Sequence, residues 1–210
     1  MQIELDDLVW ALGKVTEINE QYAGLCLDKT AVNRDIDLLQ DICAQYLNRP
    51  VEVFELRLEE TRDPSLKAMF VAHNSGKYDI YRRPGLSPKE VRFVTCKELF
   101  HVILDEAQSR SLEITKNLAE MSSTFNLVDH KPSRAVLLEV LAEIAAVEFM
   151  YPFERRNLDL AQNAQIDSVL LSNRYGLPQR FVEMYLQEGI MQALAEAMPP
   201  PEQLILVATK

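Results

Sequence analysis

With 210 residues, 48% of them hydrophobic, the chain is long enough to bury a sizeable core in one domain or in one domain with a small appendage. Its 22 basic and 32 acidic side chains leave a net charge of −10, which repels phosphate backbones and argues against direct nucleic-acid binding. No apolar run approaches the length of a membrane span, and Cys26, Cys43 and Cys96, an odd and widely spread count, show no paired spacing that suggests a disulfide framework or a zinc knuckle. The acidic start, Met1 to Asp7, is unlike the basic entry of a signal peptide, so a soluble cytoplasmic protein is expected.

Residues 3 to 22 place Leu5, Leu8, Val9, Leu12, Val15 and Ile18 at three- and four-residue steps, which predicts an amphipathic helix with Trp10 near the edge of its wet face. Asp28-Lys29-Thr30 offers a start for a second helix carrying Val32, Ile36, Leu39, Ile42, Cys43, Tyr46 and Leu47, and Asn48-Arg49-Pro50 stops it. The period then changes to two. Phe54, Leu56 and Leu58 alternate with Glu55 and Arg57, and the stretches 67–72 and 77–82 flank His73-Asn74-Ser75-Gly76 as a hairpin, so a small three-stranded antiparallel sheet is expected.

Ser87-Pro88-Lys89-Glu90 combines a Ser N-cap, Pro at the first helical position and Glu at the third, the start of a helix over about 87–107. Val91, Phe93, Val94, Leu99, Phe100, Val102, Ile103 and Leu104 surround it with apolar side chains, so Lys97, Glu98 and His101 become polar groups that need partners. A weaker helical pattern covers 108–126, and a loop follows over 128–132. Ser133 caps a further helix over about 133–151, in which Val136, Leu137, Val140, Leu141, Ile144, Val147 and Met150 point inward while Glu139 and Glu143 stand one turn apart. The stretch from Ile166 to Leu186 reads as helix, Tyr175-Gly176-Leu177-Pro178 turn, helix. Its charges nearly cancel, which favours a packing hairpin over a DNA reader. Pro199-Pro200-Pro201 separates a short apolar tail, Leu204 to Val207.

The stretch from Arg92 to Leu104, RFVTCKELFHVIL, resembles the signature of the ImmA/IrrE-type metallopeptidases, usually RFTLAHELGH followed by apolar residues. Lys97 replaces the first His of HExxH, and Phe100 replaces Gly. Glu139 to Pro152 resembles the same family's ExEANxFAAxLLMP block: Glu139, Ala142, Ala146 and Pro152 keep register, whereas Leu141, Glu143 and Ala145 depart from it. The resemblance covers roughly residues 30 to 190. It implies an α+β, helix-rich zincin-like fold with the small sheet beside the motif helix, a core over 1–155, and a C-terminal helical hairpin and tail over 156–210. It also implies that Glu98 is the general base and that His101 and Glu139 are metal ligands. In this family such a sheet's edge strand holds extended substrates by main-chain hydrogen bonds.

An intact motif turns two imidazoles one helical turn apart onto one zinc ion. Lys97 offers no lone pair while protonated, and deprotonating it costs about 4–5 kcal/mol at neutral pH. The expectation is therefore a zinc-free site in which the Lys97 ammonium pairs with Glu98, Glu139 or Glu143. On this reading the protein is a catalytically inactive regulatory module of a bacterium or mobile element, with no cofactor, which binds a repressor-type or stress-regulation protein. The alternatives are an active zinc metalloendopeptidase that recruits His73 or His130 as a replacement ligand and cleaves a repressor-type protein, and a structural subunit of a homo-oligomer.

Overall fold

The computed structural model describes residues 3–28, 32–55, 66–104, 133–162 and 166–198. The helical pattern over 108–126, the loop with His130, and the tail beyond Pro199 lie outside the described residues. The architecture is α+β, with eight helices and one three-stranded sheet among the described residues.

Helix α1, Leu5–Leu25, buries Leu8, Ala11, Leu12, Val15, Ile18 and Tyr22. Leu5 and Val9, expected on the same apolar face, are exposed, because the buried stripe follows the 8-11-15-18-22 row rather than the 5-9 edge. Helix α2 runs over Ile36–Leu47 and starts later than the sequence suggests. Asp35 is its N-cap, accepting from the Asp37 and Leu38 amides, and the Asp35 amide donates to the Tyr22 hydroxyl at 2.7 Å. Val32 thus precedes the helix and is exposed. Asn48, at φ 50°, closes α2 in the left-handed conformation that Asn tolerates better than most residues.

The sheet corrects the antiparallel expectation. Strand β1, Val51–Glu55, pairs parallel to β3, Tyr78–Arg82, and β3 pairs antiparallel to β2, Ala68–Ala72, in the order β1-β3-β2. The hairpin puts β2 and β3 together as the turn sequence requires: the Gly76 amide donates to the His73 carbonyl and the His73 amide to the Lys77 carbonyl. β1 then joins the free side of β3, with Val51 opposite Tyr78. Phe54 also departs from expectation. It is exposed and stacks on Tyr81, with ring centroids 5.6 Å apart, while Val51 and Val53 face the core. Leu56 and Leu58 lie outside the described residues.

Helix α3, Pro88–Ile103, is the centre of the molecule and packs on α2, on β2 and β3, and on α4, Arg134–Met150. Its capping box forms as its sequence requires, with Ser87 and Glu90 each satisfying the other's amide. Fully buried Ala142, Ala145 and Ala146 keep the α4 surface low where α3 crosses it, and Cys96 Sγ reaches the Ala146 carbonyl. Phe100 packs on Phe149 in this interface.

After α4 comes α5, Phe153–Gln162, a helix that apolar periodicity does not announce. Leu158 and Leu160 face outward, whereas Arg156 and Asp159 are buried. The expected hairpin is α6, Ser168–Tyr175, and α7, Gln179–Tyr185, joined through Gly176 in the left-handed region; α8, Glu188–Ala197, packs back on α1. Lys89 ties the hairpin to the start of α3 through Ser172 and Asn173, and Phe93 meets Phe181 with ring centroids 3.9 Å apart. No helix among the described residues is long and apolar enough to cross a membrane.

Candidate functional site

The polar side chains of α3 meet those of α4 beside β2. Positions 97, 98 and 101 lie within one turn, and Lys97 and His101 share the face turned toward Glu139. The Lys97 ammonium donates to Glu139 Oε2 at 2.5 Å and lies 3.8 Å from Glu98 Oε1. The other oxygen of Glu139 stands 3.2 Å from His101 Nε2. The ring nitrogen is thus engaged by the carboxylate at ion-pair distance, in a direction short of a full hydrogen bond. Phe70 of β2 stacks on the His101 ring at 5.9 Å between centroids.

Lys97 and the three neighbouring carboxyls, Glu98, Glu139 and Glu143, are not all shifted in the same direction. Burial raises the Glu139 carboxyl, but His101 and Lys97 more than reverse this and hold it at about 2. Burial presses the Lys97 ammonium downward; Glu139 and Glu98 outweigh that and lift it, so Lys97 remains charged. Glu98 is only 5% exposed, and burial dominates there, raising its carboxyl despite His101 and Lys97. Glu143 points elsewhere: it accepts a 3.4 Å hydrogen bond from Tyr185 of α7, and burial raises its carboxyl against the opposing pull of Lys97. The structure therefore brings Lys97, Glu98, His101 and Glu139 together and sets Glu143 at their border.

His73, the candidate replacement ligand, is engaged on the hairpin, where its Nε2 lies 2.8 Å from Asp79 Oδ2. His130 lies outside the described residues. Among the described residues no three His, Cys, Asp or Glu side chains form a metal-ligating group. Among the described residues only two donors, His101 and Glu139, converge, and an ammonium already occupies one face of the carboxylate, a set that falls short of a zinc ion's usual ligands.

Sequence reasoning missed two neighbours of the site. Phe70 reads as an ordinary strand residue, and nothing local in β2 says that its ring will cover an imidazole on α3. Tyr185 sits 42 residues from Glu143, a separation only the docking of α7 bridges. A second polar cluster was also hidden. Glu148 accepts from buried Arg156 and from the Phe153 amide, and Asp159 accepts from Tyr151 at 2.9 Å and Tyr175 at 2.8 Å. Arg92, the leading residue of the motif stretch, faces away from the site. It donates to Asn33 and to the Arg34 carbonyl, fastening the segment before α2 to α3.

No family model matches the chain, and no curated protein matches it. Among solved structures, a Mycobacterium tuberculosis transcriptional regulator is similar at 14% identity and a TM-score of 0.47, over 86% of this chain and 50% of that one. The chain thus spans about half the length of that regulator, and a likeness this distant carries no argument about either fold or function.

Proposed function

We propose that this chain is a catalytically inactive, zinc-free relative of the ImmA/IrrE-type metallopeptidases with a zincin-like fold, acting in the cytoplasm as a regulatory protein-binding module. The observation that carries this reading is the Lys97 ammonium seated on the Glu139 carboxylate, at the position where the resembled motif has its first imidazole. The partly buried Glu139 carboxylate calls for a positive neighbour, and an internal Lys supplies it without a cofactor. The partner is a repressor-type or stress-regulation protein, bound through the cleft and the sheet edge. β2 is an edge strand among the described residues, adjacent to α3, and an edge can pair with an extended segment.

One observation favours the zinc endopeptidase instead: His101 Nε2 and a Glu139 oxygen, the two ligands of the resembled motif that remain, converge to 3.2 Å. Metal analysis of the purified chain and of Lys97→His, each after exposure to zinc, separates the two readings. The inactive reading expects no stoichiometric zinc in the natural chain and near-stoichiometric zinc in Lys97→His. Tightly held zinc in the natural chain, with peptide hydrolysis lost in Glu98→Gln, would establish the endopeptidase.

A further inference from the structure

A cavity of about 320 Å³ lies on another part of the molecule, between the C-terminal half of α1, the residues Asp28, Val32 and Arg34 ahead of α2, and the start of α5. Its walls are Tyr22, Val32, Pro152 and Tyr175, apolar surfaces with ring faces, and its charged groups are Arg34 and Arg155 against one acid, Asp28. The volume falls at the lower end of the range of small-molecule sites.

Arg34 is built into this wall rather than lying on it. Its guanidinium sits 4.6 Å from the Phe149 ring centre and 5.3 Å from that of Tyr22 and donates to Asn19 Oδ1, while the Arg34 carbonyl accepts from Arg92. Arg134, Arg156, Arg174 and Arg180 each meet a carboxylate, whereas Arg34 and Arg155 have no ion-pair partner among the described residues. Burial lowers the Arg34 pKa and outweighs the opposing pull of its neighbours, Tyr22 and Glu154 among them, as for a cation largely removed from water. A planar fork held in place by two rings and an amide is preorganised for an oxyanion, and Arg155 lines the same cavity as a second positive charge.

We propose that this cavity binds a small organic anion, its carboxylate or phosphate oxygens on Arg34 and Arg155 and its apolar body against Tyr22, Val32 and Tyr175. The site is separate from the Lys97 cluster, and its existence does not depend on the proposed function.

The test titrates the full chain with benzoate, phenyl phosphate and inorganic phosphate, followed by calorimetry and by the side-chain NMR signals of arginine. Expected is saturable one-site binding of benzoate or phenyl phosphate, at least about tenfold tighter than inorganic phosphate, with the Arg34 signal moving. Response to benzoate alone assigns a carboxylate, and response to phenyl phosphate alone assigns a phosphate ester. Arg155→Gln, at an exposed position, should weaken binding about tenfold at unchanged melting temperature, and Arg34→Gln should abolish it. Absence of saturable binding by both organic probes, equal binding of inorganic phosphate, or full affinity in Arg155→Gln would each overturn the assignment.

Discussion

Lys97 Nζ stands 2.5 Å from Glu139 Oε2, and the second oxygen of the same carboxylate faces His101 Nε2 at 3.2 Å. One acid on α4 thereby joins two positions a helical turn apart on α3. The Glu139 side chain keeps 39% of its surface open, so this pair is neither a surface salt bridge nor a dry one.

Removing the cation should therefore have an intermediate effect. Lys97→Met is expected to destabilise the fold by about 2 kcal/mol, between the ~0–1 of exposed pairs and the ~3–5 of a broken buried one. Adding Glu139→Gln should restore most of the loss, because the uncompensated carboxylate goes with it. Urea denaturation of the two single variants and the double variant measures the coupling directly.

The pH dependence follows from the same groups. Glu139 is held at about 2 against an ordinary 4.5, so its contribution is complete above the unfolded value and lost as pH falls from about 5 toward 2. Glu98 has the opposite sign. Its carboxyl is raised, so the folded state favours the neutral acid, and stability from this group fades as pH rises through the folded value. Glu98→Gln should accordingly be more stable than the natural chain at pH 7, with the advantage shrinking toward pH 4. Thermal melts at both pH values decide it; a loss of stability at pH 7 would contradict the burial argument.

Arg156 is completely buried against Glu148, and the rings of Tyr151, Phe153 and Tyr185 surround its guanidinium. Burial brings the group down to about 10, which leaves it charged at neutral pH. Arg156→Met should cost about 3–5 kcal/mol because Glu148 is then buried without its counter-ion, keeping only the Phe153 amide. Chemical denaturation would show it as a lower midpoint at unchanged slope.

Gly176 ends α6 at φ +62°, and a β-carbon there would come within 2.8 Å of both Arg92 Nε and Asn33 Oδ1. The left-handed conformation alone costs a non-glycine residue about 1–2 kcal/mol. Gly176→Ala should lose about that much, plus whatever it costs to displace the hydrogen-bonded Arg92 and Asn33 side chains. A calorimetric melt checks the magnitude.

Local chemistry was readable wherever neighbours in sequence decide the structure. The Ser87-Glu90 capping box, the His73-to-Gly76 turn and the Asn48 stop are each set within a few residues, and they occur where the residue types require. Reading failed where distant packing reverses a local pattern. Helix α5 turns Arg156 and Asp159 inward and Leu158 and Leu160 outward, because Glu148 and two tyrosine hydroxyls supply buried partners from other elements. A pattern that equates apolar with inside cannot see such a helix.

By itself the sequence determined that a capped helix would carry Lys97, Glu98 and His101 within one turn, since backbone geometry alone fixes which side chains share a face. It also determined the α+β class, through the change of hydrophobic period around Pro50. Only the tertiary structure decided that β1 would run parallel to β3, that Glu139 rather than Glu143 would meet Lys97, and that Phe70 would cover His101. Those choices depend on how α4 and the sheet dock on α3. Docking is set by small residues such as Ala142 and Ala146 and by buried partners far apart in the chain, which no local periodicity encodes.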